Sequence, residues 1–310
     1  MKGRWLLFAM LAAVLVLAGC GGGTEKPAGE PAPQKVVTVG SKEFTEQLIL
    51  AKVTQLVLED AGFKVNDKCG LGGTMICRNA LLNGGIDVYW EYTGTCLLVQ
   101  LKHEKPITDP QECYRVVKEE DLQKNNLVWL GMAPFNNTYV LMMRKPDAER
   151  LGVKSLSDLA AYVNEHPNEV RFATDAEFFA RPDGYPALEK LYGFKFPPDK
   201  VIKLDPGLVY KALSEKQVDV AMGFATDARI KALNLVSLED DKQFFPVYNP
   251  APVVRKPVME KYPELADLLN PVAAKLTTEA MIALNYAVDV DHKTPDQAAR
   301  EWLTAEGLTR

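Results

Sequence analysis

The stretch Gly84–Thr95, GGIDVYWEYTGT, is central to the organisation of the chain because its pattern returns later in the sequence. Residues 80–93 align without a gap on residues 212–225, at a constant offset of 132. In both copies a helix-like run leads into a β-branched residue, Asp and Val, which is typical of a buried strand, and an aromatic follows four residues after the Val. We therefore expect one aromatic, Tyr92 or Phe224, at an equivalent place in each half.

A second pair of segments has almost the same spacing. Val39–Phe44 (VGSKEF) lies 134 residues before Ala173–Phe178 (ATDAEF), and both are predicted to be strand ends that run into a helix start. Two pairs at nearly one offset indicate two similar α/β lobes. Ligands of open α/β sheets bind at the carboxyl ends of strands. The sequence therefore predicts a cleft to which each lobe contributes one aromatic and one polar loop.

The first twenty residues predict export. Lys2 and Arg4 precede an apolar run that is short for a membrane span and ends in small residues. Its end, Leu17–Cys20 (LAGC), resembles the lipobox of bacterial lipoproteins, in which cleavage precedes a Cys that carries the lipid. We expect a signal peptide over residues 1–20 and a lipid-anchored Cys20; the alternative is an ordinary secretory signal. In both cases the protein works outside the cytoplasm.

Residues 21–35 are Gly, Pro and charged residues without apolar periodicity, so we expect a flexible tether. The whole chain has a formal charge of −5. Without the leader, 34 basic residues stand against 41 acidic ones, a charge of −7. An acidic body without a basic run argues against nucleic acid as a partner.

Four cysteines remain beyond the leader: Cys69, Cys77, Cys96 and Cys113. An even number in an exported protein predicts two disulfides. We favour Cys69 with Cys77 and Cys96 with Cys113 because short loops close at low entropic cost; buried free thiols are the alternative. The isolated histidines and the cysteine spacing give no metal site, and we expect no cofactor. Motifs of nucleophilic or zinc hydrolases are absent from the sequence, so a binding protein is favoured over an enzyme.

Three motifs resemble the osmoprotectant (glycine betaine, choline, carnitine) substrate-binding proteins of ABC importers: Val39–Gln47, Leu71–Thr74 and Ile86–Thr95. Further matches in order along the chain are Ala180–Gly184, Val218–Val220, Thr226–Arg229 and Ala283–Tyr286. The resemblance implies an α/β, two-lobe type II periplasmic-binding-protein fold with two crossover segments. Lobe 1 would comprise residues 36–136 and 247–310, and lobe 2 residues 137–246. It also implies a monomer that delivers its ligand to a permease subunit.

The resemblance further implies an aromatic cage. A trimethylammonium group has a full charge but no N–H donor, so aromatic faces hold it better than hydrogen bonds, at about 2 kcal/mol or more each when desolvated. Matching the family motifs residue by residue gives the cage as Tyr92, Tyr139, Phe224 and Tyr248. The alternative for each ring is ordinary core packing.

For a ligand carboxylate, the resemblance points to Lys42, Thr95 and Arg181, of which Arg can donate two parallel hydrogen bonds. Choline would leave both cations partly unpaired, which favours glycine betaine or proline betaine; choline, carnitine, another small amine or an amino acid are the alternatives. The ordinary interpretations are that Lys42 is a solvated residue at a helix start and that Arg181 pairs with an acid within its own turn. Asn136 and Asn137 depart from acidic residues of some relatives, which leaves the polarity beside the cage open.

Overall fold

A computed structural model describes residues 34–309, and Cys20 lies outside the described residues. The strands are β1 Val36–Gly40, β2 Lys64–Lys68, β3 Val88–Tyr92, β4 Leu127–Trp129, β5 Tyr139–Arg144, β6 Phe172–Thr174, β7 Val201–Lys203, β8 Val220–Phe224, β9 Leu235–Ser237 and β10 Pro250–Arg255.

The first seven α-helices are α1 Thr45–Asp60, α2 Thr74–Leu82, α3 Thr93–Thr95, α4 Pro110–Asn125, α5 Lys145–Leu151, α6 Leu156–Glu165 and α7 Ala176–Ala180. The later ones are α8 Tyr185–Tyr192, α9 Leu208–Ser214, α10 Arg229–Ala232, α11 Lys256–Lys261, α12 Leu265–Lys275, α13 Thr278–Asp289 and α14 Pro295–Ala305. A π-helical turn follows α3 at Cys96–Gln100, and a 3₁₀ turn at Pro198–Lys200 precedes β7.

The strands form two sheets of five with the same internal order. One sheet runs β2-β1-β3-β10-β4 and the other β7-β6-β8-β5-β9. In each sheet the first three strands are parallel, and the fourth is antiparallel to both of its neighbours. The repeat predicted from the sequence is therefore a repeat of sheet topology.

The chain passes between the two sheets twice. It leaves the first sheet after β4 and enters the second through β5, then returns through β10 after β9. Helices cover the sheets, so the predicted fold class is confirmed: two α/β lobes with the topology of a type II periplasmic-binding protein. The lobe boundaries at residues 136/137 and 246/247 stay predictions.

The repeated Asp has a structural role in each lobe. Asp87 accepts a hydrogen bond of 2.9 Å from the backbone N–H of Thr38, and Asp219 accepts one of 3.0 Å from that of Arg171. Asp87 also binds Arg255 at 3.0 Å. Each half-buried carboxylate therefore joins the strand that ends in Tyr92 or Phe224 to the neighbouring strand of its sheet.

The C-terminal helices complete the core beside the first sheet. Helix α1 buries Ile49, Leu50 and Val53 completely, in one cluster with residues of α12, α13 and α14. Helix α14 begins with a capping box in which Thr294 and Gln297 satisfy each other's backbone N–H groups. None of the helices between residues 34 and 309 has the length and apolarity that a membrane span needs.

The structure does not contain the predicted disulfides. All four cysteines of the described residues are free thiols: Cys69, Cys77, Cys96 and Cys113. The Cys77 thiol donates to the backbone oxygen of Ser41 at 3.3 Å, whereas Cys69 accepts from Gln55 at 3.1 Å. The two thiols of this predicted pair thus have separate partners, because loop length alone does not determine side-chain direction.

Candidate functional site

One cavity brings together all the side chains for which the sequence predicted contact with a ligand. The cavity and its mouth contain about 710 Å³ of space free of protein atoms, part of which is open to solvent. Its predicted lining residues are Lys42, Tyr92, Thr95, Tyr139, Arg181, Phe224 and Tyr248. They come from the ends of strands in both sheets and from the loops that follow, so the cavity lies between the two lobes.

Three of the four predicted cage aromatics are direct neighbours. Tyr139 and Phe224 are paired across β5 and β8, and their ring centroids are 5.3 Å apart. The ring of Tyr248 stands at 87° to that of Tyr139, with a centroid distance of 5.5 Å. The rings of Tyr139 and Phe224 are tilted by 37° to each other, and the edge-to-face geometry of Tyr139 and Tyr248 is one that aromatic pairs prefer. The three rings form a continuous apolar wall.

Phe44 connects the fourth aromatic to this wall, and sequence reasoning missed it as a site residue. Its ring stacks on Phe224 at 5.1 Å and lies 6.2 Å from Tyr92. A signal was present in the sequence, because Phe44 aligns with Phe178 at the offset of 134, and Phe178 packs on Tyr139 at 4.8 Å. Phe44 itself lines the cavity.

A buried carboxylate holds the hydroxyl end of Tyr92. Glu46, 3% exposed, accepts hydrogen bonds from Tyr92 at 2.7 Å, Asn137 at 2.9 Å, Thr226 at 2.5 Å and Asn285 at 3.3 Å. Burial raises the pKa of Glu46 in spite of these donors. The group fixes the orientation of the Tyr92 ring from behind, and Thr226 ties it to the second lobe.

Lys42 lines the cavity, but its charge is already paired. Its ammonium lies 2.7 Å from the carboxylate of Glu91, and the two side chains are 5% and 0% exposed. The same Nζ lies 5.3 Å from the centroid of the Tyr92 ring. The expectation that this cation is left unpaired unless a ligand carboxylate is bound is wrong, because β3 supplies its counter-ion from the interior.

Arg181 is also paired within the protein. Its Nε and one terminal nitrogen donate to Asp183 at 3.0 and 2.6 Å. The other terminal nitrogen donates to the Tyr139 hydroxyl at 3.2 Å and to Glu177 at 3.5 Å. Arg181 therefore faces the cavity with one nitrogen while Asp183 holds the other side of the guanidinium.

Thr95 lies where the chain passes closest to the returning crossover. It ends α3, directly after β3, and is 3% exposed. A Cβ at the preceding Gly94 would lie 2.6 Å from the backbone oxygen of Val247 and 3.1 Å from the Tyr248 ring. Only glycine fits there, so Gly94 allows the two halves of the cavity wall to meet.

Asp175 adds a titratable group to the second lobe's side of the cavity. It caps the N-terminus of α7 by accepting the backbone N–H of Phe178 at 2.6 Å. Burial raises the pKa of Asp175 to about 6, and the nearby charge of Glu177 adds to this, whereas Arg181 opposes it. The cavity therefore gains a negative charge as the pH rises through that value.

Comparison with known proteins gives one family. The family described as the substrate-binding domain of ABC-type glycine betaine transport systems matches residues 35–305. A glycine-betaine-binding protein of Pseudomonas aeruginosa is 42% identical over 282 residues, which is 89% of this chain and 90% of that protein. The glycine betaine-binding protein YehZ of Escherichia coli is 36% identical over 88% of this chain and 92% of its own length. A solved structure of a glycine betaine/carnitine/choline ABC transporter protein is similar at 33% identity and a TM-score of 0.70, over 88% of this chain and 99% of that one.

Proposed function

The chain belongs to the family of substrate-binding domains of ABC-type glycine betaine transport systems, and from this we propose that it captures a quaternary-ammonium solute in the cavity between its lobes. It then delivers the solute, as a monomer, to a permease subunit. The relatives are transport proteins rather than enzymes. The observation that carries the proposal is the convergence of Tyr92, Tyr139, Phe224 and Tyr248 on one inter-lobe cavity.

The aromatic wall suits this ligand class for a physical reason. A quaternary nitrogen spreads its charge over methyl groups and offers no hydrogen to an acceptor, so the negative faces of aromatic rings are its best partners. The predicted cage consists of three tyrosines and Phe224, and Phe44 packs beside it. Because the rings come from both lobes, a ligand held between them stabilises the closed arrangement of the lobes.

Glycine betaine and proline betaine are the solutes we favour. The support is the similarity to two glycine-betaine-binding proteins, at 42% and 36% identity. Choline would not leave Lys42 and Arg181 unpaired, since Glu91 and Asp183 pair with them. The same pairing makes choline a second candidate, because the cavity does not depend on a ligand carboxylate for charge balance.

We also propose that Cys20 anchors the protein to the outer face of the cell membrane. The support is the sequence Leu17–Cys20 after a basic and apolar leader, followed by a tether. Acyl chains contribute about 0.8 kcal/mol per buried methylene, so two or more of them hold a protein on a bilayer. Cells fed radiolabelled palmitate should label the chain, and Cys20→Ser should remove the label. Persistent labelling of that variant would disprove the anchor site.

Calorimetric titration tests the ligand class. Glycine betaine, proline betaine, carnitine and choline form the panel, with glycine and proline as unmethylated controls of the same size class. We expect binding of methylated solutes and at least a hundredfold weaker binding of the controls, since an ammonium with N–H groups loses its hydrogen bonds to water in an aromatic cage. Equal or tighter binding of glycine or proline would contradict the proposal.

A further inference from the structure

A carboxylate of one lobe occupies hydrogen-bond donors of the other at the edge of the cavity. Glu177, on α7, accepts the backbone N–H of Thr74 at 3.0 Å and also the Thr74 hydroxyl. These residues are 103 positions apart, and Thr74 begins α2. A Cβ at Gly73 would lie 2.3 Å from the Glu177 carboxylate. The glycine thus leaves room for this contact.

The start of α2 would otherwise attract a carboxylate from elsewhere. The helix is nine residues long, and its N-cap residue Gly73 has no side chain to satisfy the first N–H groups. Free N–H groups and the helix dipole favour a negative charge at that point. Burial alone would raise the pKa of Glu177, but the charge of Lys42 and the hydrogen bonds from Thr74 lower it below the ordinary value. Glu177 is therefore ionised where it contacts α2.

Glu177 also changes the charge balance of the cavity. The two cations on the wall, Lys42 and Arg181, have Glu91 and Asp183 as close partners. Glu177 adds a further negative charge, 3.5 Å from Arg181. The wall thus favours a ligand with a net positive charge and opposes a second carboxylate near Thr74.

We propose that Glu177 is the residue that sets the choice between purely cationic and zwitterionic quaternary amines. Its charge favours a choline-like ligand, and it competes with the carboxylate of a betaine for the N–H and O–H of Thr74. This inference rests on the proposed function, since it assumes a quaternary amine in the cavity. It assigns to α7 a specificity role that the position of the aromatic rings does not explain.

The test compares two neutral variants with a matched control. Glu177→Gln removes the charge but keeps an oxygen that can accept from Thr74, and Glu177→Ala removes both. Glu43→Gln is the control, because Glu43 lines the same cavity and carries the same charge, but is exposed and belongs to the other lobe. Dissociation constants for glycine betaine and choline are measured by calorimetry on the purified full-length chain and each variant.

The ratio of betaine affinity to choline affinity should rise at least tenfold in Glu177→Gln and at least as much in Glu177→Ala. In Glu43→Gln it should change less than threefold. A ratio within tenfold of the wild type in both Glu177 variants, or an equal shift in the control, overturns the inference while leaving the proposed function standing. If the wild-type chain binds neither of these two nor the other methylated solutes of the panel, the proposed function and this inference both fail.

Discussion

Replacing Tyr92 with Ala or with Phe separates the aromatic face of the cage from the hydroxyl that anchors it. Tyr92→Ala removes one ring of the predicted cage, which contributes about 2 kcal/mol to the binding of a desolvated quaternary ammonium. At about 1.4 kcal/mol per tenfold, the dissociation constant for glycine betaine should rise about 30-fold. Tyr92→Phe keeps the ring, so its dissociation constant should stay within about threefold of the wild type.

Tyr92→Phe should lower the stability of the folded protein although it preserves binding. The lost hydroxyl donates at 2.7 Å to Glu46, which is buried and keeps the donors Asn137, Thr226 and Asn285. Loss of a hydrogen bond to a buried polar group costs about 1–3 kcal/mol. Urea unfolding at neutral pH should therefore show a lower free energy of unfolding in Tyr92→Phe although binding is preserved.

Two measurements on each variant show whether the ring or the hydroxyl of Tyr92 is needed for binding. Circular dichroism first confirms that Tyr92→Ala is folded, because removing a buried aromatic costs about 3–5 kcal/mol. Calorimetric titration with glycine betaine then gives the dissociation constants. A Tyr92→Ala protein that is folded and binds as tightly as the wild type would exclude this ring from the site. Equal losses in the Phe and Ala variants would show that the hydroxyl, rather than the aromatic face, carries the effect.

Three further variants test other side chains of the cavity. In Phe44→Ala the dissociation constants for glycine betaine and choline should both rise at least fivefold by calorimetry, because the ring packs on Phe224. Unchanged dissociation constants would show that Phe44 contributes only to packing. Arg181→Ala should weaken the binding of glycine betaine at least tenfold more than that of choline in the same assay, since only a betaine has a carboxylate that can accept from the nitrogen that faces the cavity. Equal losses of affinity would show that Arg181 only shapes the lobe through Asp183. Choline, whose charge does not depend on pH, should bind more weakly as the pH falls from 7.5 to 5, because Asp175, with a pKa of about 6, loses its charge. In Asp175→Asn the affinity for choline should change less with pH. A wild-type affinity that does not change with pH would show that Asp175 does not contribute to the electrostatics of the site.

The duplicated pattern of the sequence predicted the fold well because it is a repeat of strand order. Burial of the β-branched–Asp–Val run fixes β3 and β8 at the centre of each sheet, and the strand end then places Tyr92 and Phe224 at the cleft. The Asp of each run, Asp87 or Asp219, accepts a backbone N–H of the neighbouring segment and so ties the strand to it. Periodicity and position relative to a strand end are local properties, and a single sequence contains them.

Pairing within a turn, such as that of Arg181 with Asp183, was accessible from the sequence, but pairing between distant residues was not. Lys42 contacts Glu91, which is 49 positions away, and nothing in the alternation of β3 indicates that a buried Glu points towards the β1–α1 loop. Glu177 and Thr74 belong to different lobes, so their contact depends on how the lobes meet. The disulfides failed for a related reason, because loop length describes the cost of closure but not the direction of two Cβ atoms.

A crystal structure of the chain with glycine betaine would show whether the aromatic rings hold the ligand. We expect the quaternary nitrogen to lie within about 6 Å of the ring centroids of Tyr92, Tyr139, Phe224 and Tyr248. Density for glycine betaine outside the inter-lobe cavity, or inside it with the nitrogen facing carboxylates rather than these rings, would contradict it.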